Sequence, residues 1–300
     1  MRILMSGATG LIGKALGERL VESGHTVWGL SRRARASDAR FERYFAWDTL
    51  GGPLPDEALQ GVDAIVHLAG EPVAEGRWNP EKKRRIRESR TQGTAAVVEA
   101  IARAQVKPKV LLAASAVGYY GDRGTDVLRE DDKPGSSFLS QVCVAWEQES
   151  AKASTLGVRV VQHRIGIVLA KEGGALPKMA TPFRMGIGGK LGTGAQYVPW
   201  IHLDDAVGLL AFALETAAAS GPLNTVAPHE VTNAEFTQAL GHTLHRPTFA
   251  SVPAFALRLA LGEMADATLE SQRVTAEKAI ALGYVFRYPT LGPALQALLG

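Results

Sequence analysis

Short apolar runs alternate with stretches of helical periodicity along the first half of the chain. Ile3, Leu4 and Met5 form one run, and Leu11, Ile12, Ala15, Leu16 and Leu20 then recur at helical spacing, so the chain opens as strand, turn and helix. His25 to Leu30 (HTVWGL), Phe41 to Trp47, Asp63 to Ala69 (DAIVHLA), Val110 to Ala114 (VLLAA) and Val158 to Val168 (VRVVQHRIGIV) read as further strands, and Pro55 to Gln60 as a short helix. From about Pro80 to Ala104 the pattern is helical, with Ile86, Gly93, Val97, Ala100, Ile101 and Ala104 on one stripe. The alternation of strand and helix predicts a parallel sheet whose strands are buried on both faces.

Beyond residue 170 the pattern changes. Residues 172 to 200 are rich in Gly and Pro and carry Met179, Phe183, Met185, Tyr197 and Trp200, which reads as a flexible pocket wall. Trp200 to Asp205 reads as a short strand entering a helix, with Asp204 or Asp205 as the expected cap and His202 as a structural hydrogen-bonding residue. From Thr232 on, helices are expected over Asn233 to Leu244, Pro253 to Leu261, Ala276 to Gly283 and Leu291 to Leu299.

The opening turn carries the first chemistry. Gly7, Gly10 and Gly13 stand between the first strand and helix in RILMSGATGLIG, the arrangement that lets a backbone approach a pyrophosphate and seat it on a helix N-terminus. Gly7, Thr9, Gly10, Leu11, Ile12 and Gly13 are therefore dinucleotide-binding candidates. At the end of the second strand, where an NAD site wants an acid for the ribose 2′-hydroxyl, the chain has Ser31, Arg32 and Arg33. Guanidinium forks suit a 2′-phosphate, so the expected cofactor is NADP(H). Leu68, Ala69, Gly70 and Glu71, at the end of the fourth strand, should line it. Arg90 falls on the inward stripe of the long helix and needs an anionic partner there, a cofactor phosphate or a neighbouring carboxylate. The run EKKRR at 81 to 85 reads instead as a solvated face.

Composition narrows the class. The chain has 300 residues and a formal charge of +3 with acids and bases interspersed, which gives no footprint for nucleic acid. A single cysteine, Cys143, excludes an internal disulfide and fits a reducing compartment. No secretory leader pattern or membrane-length apolar run is present, so a cytoplasmic location is expected, with a small-molecule substrate and a second copy of the chain as candidate partners. His242 and His245 lack the companions of a zinc site. Gly189-Lys190 lacks both the following Ser or Thr and the preceding glycine of a triphosphate loop, residue 184 being Arg.

The motifs GATGLIG, HLAG and SAVGYYG (115 to 121), in this order and spacing, resemble the extended short-chain dehydrogenase/reductase superfamily, which includes nucleotide-sugar epimerases. AGEP at 69 to 72, RW at 77 to 78, ESR at 88 to 90, PWIHLDD at 199 to 205, GPLNTVAP at 221 to 228, NAEF at 233 to 236 and RP at 246 to 247 resemble an atypical subgroup, the epimerase family proteins, sometimes labelled nucleoside-diphosphate-sugar epimerases. The resemblance extends to a C-terminal domain of unknown function. It implies chemistry by a Ser, a Tyr and a Lys four residues later, yet no Tyr-x-x-x-Lys exists in this chain. In the helix FLSQVCVAWEQE (138 to 149), anchoring on Glu147 puts Leu139 and Cys143 at those positions. Ser115, Tyr119 and Tyr120 remain as catalytic candidates. The resemblance also marks Arg164 and Val168 as contacts beneath a nicotinamide.

The expected fold is α/β, a doubly wound parallel sheet of Rossmann type with a smaller C-terminal pocket domain. Residues 1–170, with 200–228 returning to them, would bind NADP(H), while 171–199 and 229–300 would form the smaller substrate or lid domain. The favoured activity is that of an atypical oxidoreductase or epimerase-like enzyme on a small carbonyl, hydroxyl or sugar-nucleotide-like compound. The alternative is a non-catalytic NADP(H)-responsive binding or regulatory protein.

Overall fold

The computed structural model describes residues 1–33 and 35–300. In chain order, β1 (Arg2–Ser6), α1 (Leu11–Glu22), β2 (Thr26–Ser31), β3 (Arg43–Ala46), β4 (Ala64–His67), α2 (Pro80–Arg103), β5 (Val110–Ala116), β6 (Val127–Leu128), α3 (Phe138–Ala151) and β7 (Arg159–Ile165) build the first half. Then come β8 (Ile167–Leu169), α4 (Leu176–Arg184), β9 (Gly189–Leu191), β10 (Trp200–His202), α5 (Leu203–Glu215) and β11 (Gly221–Thr225). The chain ends with α6 (Asn233–Thr243), β12 (Ala250–Val252), α7 (Ala254–Leu261), α8 (Met264–Leu269), β13 (Arg273–Val274), α9 (Glu277–Ala281) and α10 (Leu291–Leu299).

Seven strands form one parallel sheet in the order β11-β7-β5-β4-β1-β2-β3. Alternate strand residues point to opposite faces. Ile3 and Met5 pack with Leu16 and Leu20 of α1 and Leu209 and Leu210 of α5, while Leu4 and Ile65 pack with Val97 and Ile101 of α2. Both faces are covered, which explains why the strands read as unbroken apolar runs. The strand order reverses between β1 and β4, so a crevice opens there above the strand C-termini, the binding position of doubly wound sheets.

Three local expectations change. The run 158 to 168, expected as one strand, divides at Gly166. The Gly166 N–H still bonds the Thr225 carbonyl of the sheet at 3.1 Å, but Ile167 N–H turns to the Pro199 carbonyl at 2.8 Å, so β8 leaves the sheet and pairs with β10. The stretch 172 to 200 is more regular than its Gly and Pro content suggests. Within it α4 buries Leu176, Ala180 and Phe183 against Phe236 and Leu240 of α6 and Leu295 of α10, and β9 pairs with β12. The cap of α5 is not an aspartate: His202 Nδ1 accepts the Asp204 N–H at 3.0 Å. Asp205 instead accepts the N–H groups of Arg287 and Tyr288 at 2.7 and 2.8 Å and the Tyr284 hydroxyl at 3.2 Å, tying the C-terminal segment to α5. No described helix is long and apolar enough to cross a membrane.

Candidate functional site

The turn after β1 is shaped by backbone contact. Gly7 has φ of 70°, and a Cβ there would lie 2.9 Å from the Leu68 carbonyl carbon; a Cβ on Gly13 would collide with the Gly7 carbonyl oxygen. Only glycine lets β1, β4 and α1 meet this closely. Gly10 caps α1 without a side chain, the first turn holds no acid, and the first helical N–H to find a carbonyl is that of Lys14, on Gly10 at 3.0 Å. The N–H groups of Leu11, Ile12 and Gly13 thus remain for an anion at the positive end of the helix.

Beside this turn lies a cavity of about 280 Å³. Gly7, Thr9 and Gly10 form one wall, Ser31 and Arg32 the end of β2, and Leu68, Ala69, Gly70 and Glu71 the end of β4. The first candidates are therefore brought together. Asp48, Thr49 and Leu50, which follow β3, and Arg85 and Ser89 of α2 also line the cavity and are absent from the sequence-based set; the only signal of the first three is a polar, glycine-containing turn behind a strand, and Arg85 belongs to the run expected as a solvated face. Arg33 is exposed outside the lining. The Glu71 side chain faces Lys82 at 2.8 Å and Arg85 at 3.2 Å. Its burial favours the neutral acid, but these two cations outweigh burial and hold its carboxyl below the usual range.

The wall formed by residues 68 to 70 is fixed by a pair that the motifs did not flag. Ser6 Oγ accepts the N–H groups of Leu68 and Ala69 at 3.2 Å each and lies 2.6 Å from His67 Nδ1. With its lone pairs so used, the hydroxyl proton goes to Nδ1, leaving His67 Nε2–H for Thr94 Oγ1 at 3.1 Å. Burial pushes the His67 pKa down to about 4, so the ring is neutral near pH 7.

At the end of β5 the catalytic candidates fare differently. The Ser115 hydroxyl donates to Glu147 Oε1 at 2.6 Å. Arg164 grips the same carboxylate through Nε and Nη2, each at 2.9 Å, and its Nη1 donates to the Tyr120 hydroxyl at 2.9 Å and the Glu130 carbonyl at 3.0 Å. Tyr120 in turn donates to Asn224 Oδ1 at 2.7 Å. Two assignments need correction: Arg164 is 2 % exposed with its donors committed to this network, and Tyr120 is fully buried, its phenol pushed up by burial. Neither is free to meet a ligand. Tyr119 is half-buried, with the Arg164 guanidinium 3.5 Å from its ring centre, and its hydroxyl bonds no described residue. Cys143 lies beside Ser115, and burial raises its thiol to about 11. Leu139 packs against Gly118, whereas Val168 lies near the Gly174 turn that covers Leu11.

A family model, the NAD dependent epimerase/dehydratase family, matches residues 3–226. The chain belongs to that family. A second model, the domain of unknown function DUF1731, matches residues 252–298. The chain is 41% identical over 294 residues to an epimerase family protein of Mycobacterium bovis, covering 98% of this chain and 96% of the other. It is 38% identical over 304 residues to the epimerase family protein SDR39U1 of Bos taurus, with full coverage of both. A homologue from Arabidopsis thaliana, described as chloroplastic, shares 41% over 307 residues, covering 100% of this chain and 87% of that one. Among solved structures, human SDR39U1 with NADPH superposes with a TM-score of 0.90 at 36% identity, covering 100% of this chain and 99% of that one. A nucleoside-diphosphate sugar epimerase from Corynebacterium glutamicum gives 0.82 at 36%, covering 100% and 58%. The membership drawn from the motifs holds, as does the doubly wound fold. UDP-glucuronic acid 4-epimerase of Bacillus cereus, at 19% identity and TM-score 0.79, shares the fold.

Proposed function

We propose that this family member binds NADP(H) in the crevice between β1 and β4. The carrying observation is the cavity itself: it joins an uncapped, acid-free helix N-terminus to a β2 end that offers Arg32 and no carboxylate. The human relative crystallised with NADPH supports the same reading. Thr9 and the N–H groups of Leu11 to Gly13 would take the diphosphate, Arg32 the 2′-phosphate, and Asp48 or the adjacent backbone the adenine edge. When bound, the cofactor supplies hydride transfer at its nicotinamide ring.

The chemistry proposed is that of an atypical short-chain dehydrogenase/reductase acting on a small hydroxyl or carbonyl compound, including a sugar-nucleotide-like one. Tyr119 is the candidate that remains to move a proton, since Leu139 cannot and Cys143 is a buried neutral thiol. Ser115 is buried and gives its proton to Glu147, so its oxygen can act toward a ligand only as an acceptor. One observation favours a second reading, an NADP(H)-responsive binding protein: Ser115 and Tyr120 are both locked into a buried network built around an ion pair.

Calorimetric titration tests the cofactor assignment. NADPH should bind at least tenfold tighter than NADH, because one charge-assisted bond supplies about 1.5 to 3 kcal/mol and tenfold needs about 1.4. Equal affinities, or tighter NADH, would remove the role given to Arg32.

A further inference from the structure

The first half of α2 carries Lys82, Lys83, Arg84, Arg85, Arg87 and Arg90, and all but one of these cations have a partner among the described residues. Lys82 and Arg85 reach the Glu71 carboxylate at 2.8 and 3.2 Å. Arg84 lies between Glu81 and Glu88, 2.8 Å from an oxygen of each. Arg90 turns inward, and its Nη1 donates to the carbonyls of Glu71 at 3.1 Å and Ile86 at 3.0 Å. Lys83 crosses to Glu263, between α7 and α8, at 2.6 Å. The Arg87 guanidinium is exposed and bonds none of the described residues.

Lys83 and Arg87 stand four residues apart on one face of the helix, where like charges repel. Both lean on the same ring: Lys83 Nζ is 4.9 Å and Arg87 Cζ 5.7 Å from the centre of Phe138, the first residue of α3. The ring attracts cations but has no net charge to cancel theirs. Glu88 is taken by Arg84, which leaves the Glu263 carboxylate, 62 % exposed, as one negative charge against two positive ones. With Gln141 these residues line a groove of about 680 Å³ that shares no lining residue with the dinucleotide cavity.

We propose that this groove is a second anion site, taking a small phosphate-bearing molecule between Lys83 and Arg87, and that Glu263 is the built-in occupant which the ligand displaces. A phosphate monoester carries about −1.5 to −2 charge at pH 7, so it answers both cations where a carboxylate answers one. Its oxygens accept from the Arg87 fork and the Lys83 ammonium, and the volume beside Phe138 and Gln141 holds the rest of the molecule. Binding there reaches α7 and α8, which pack chiefly on one another. Among the described residues, two polar ties join that pair to α2 and the loop before it: Lys83 on Glu263, and Arg77, whose Nε and Nη2 donate to the carbonyls of Leu259 and Ala260 at the end of α7. Displacing Glu263 removes the first tie and loosens α7 and α8. The site does not depend on the NADP(H) reading.

Dissociation constants of glycerol 3-phosphate and inorganic phosphate, measured by calorimetry on the full chain, test the site in the wild type, Lys83→Gln, Arg87→Gln, Glu263→Gln and Arg32→Ala, with melting curves as the check on folding. Lys83→Gln and Arg87→Gln should each weaken glycerol 3-phosphate about fivefold or more, and Glu263→Gln, which removes the competitor, should tighten it about threefold. Arg32→Ala should leave it within about twofold, because that residue belongs to the dinucleotide cavity. Tighter binding of the ester than of inorganic phosphate would identify an organic phosphate as the ligand and equal affinities free phosphate, and either supports the site. Hydrogen exchange over residues 254–269 should quicken when the wild type is saturated. Unchanged affinity in both Lys83→Gln and Arg87→Gln, or a loss confined to Arg32→Ala, would overturn the groove as a site while leaving the cofactor reading standing. The same holds if neither the wild type nor Glu263→Gln binds either probe, and exchange over 254–269 that does not respond to saturation would overturn the displacement of Glu263.

Discussion

Ser115 and Glu147, on β5 and α3, share a 2.6 Å hydrogen bond in which the serine donates. The same carboxylate is held in bidentate fashion by Arg164. A serine at this strand end therefore belongs to a buried charge network before it belongs to any ligand. Breaking a buried ion pair from one side leaves the other charge uncompensated, at about 3 to 5 kcal/mol. Glu147→Ala and Arg164→Ala should each lower the stability seen in urea denaturation by about that much, and the double variant by clearly less than their sum. A double variant as costly as both singles added together would show that the two residues do not depend on each other.

The two arginines after β2 separate in a way that composition does not reveal. Arg32 lines the cavity and Arg33 lies outside its lining. Arg32→Ala should erase most of the preference for NADPH over NADH, a loss of about tenfold or more, and Arg33→Ala should change it less than threefold. Reversal of that ranking in calorimetric titrations would place the 2′-phosphate on Arg33.

His67 provides a pH signature. Its pKa falls from 6.5 to about 4 on folding because the ring is buried, so between these values the unfolded chain binds the extra proton and stability rises with pH. The contribution is complete above pH 6.5, is lost as pH falls toward 4, and amounts to about 3 kcal/mol for a shift of this size. In a His67→Gln variant the drop in urea midpoint from pH 7 to pH 5 should be visibly shallower than in the wild type. Identical drops would mean that other groups, His163 among them, carry the acid sensitivity.

How much was legible in the sequence follows from which interactions are local. The strands and helices around RILMSGATGLIG could be read because periodicity and glycine spacing act within a dozen residues, and the cavity walls at 7–10, 31–32 and 68–71 came with them. Val158 to Val168 reads as one strand in the sequence because the partners that divide it, Thr225 and Pro199, are distant in the chain. Tyr120 and Arg164 looked accessible for the same reason: what buries them is a hydrogen-bonded set drawn from residues 115 to 224. The sequence points to Asp204 or Asp205 as the cap rather than His202 because imidazole is an uncommon cap, and nothing local shows that the acceptors of Asp205 serve residues about eighty positions away.

The final prediction separates an enzyme from a sensor at the two adjacent tyrosines. Tyr120 donates to Asn224 and accepts from Arg164, so Tyr120→Phe strands two buried polar groups and should cost about 1 to 3 kcal/mol of stability. Since its phenol is sealed and its proton bound more tightly than usual, its loss should leave any chemical step within a few-fold once the protein is folded. Tyr119 is half-buried and lacks a hydrogen-bonded partner among the described residues, so Tyr119→Phe should leave stability within about 0.5 kcal/mol. If Tyr119 moves the proton that accompanies hydride transfer, the same change should lower kcat by about a hundredfold or more, the usual yield of a positioned acid or base. NADPH oxidation across a panel of small aldehydes, ketones and sugar nucleotides measures this, with NADPH affinity checked in each variant. Full turnover in Tyr119→Phe would remove the residue from the mechanism. An absence of turnover across the panel, joined to an NADPH-dependent change in hydrodynamic radius or self-association, would favour the sensor, whose buried Ser115–Glu147–Arg164 network would then serve to fix the fold around the bound cofactor.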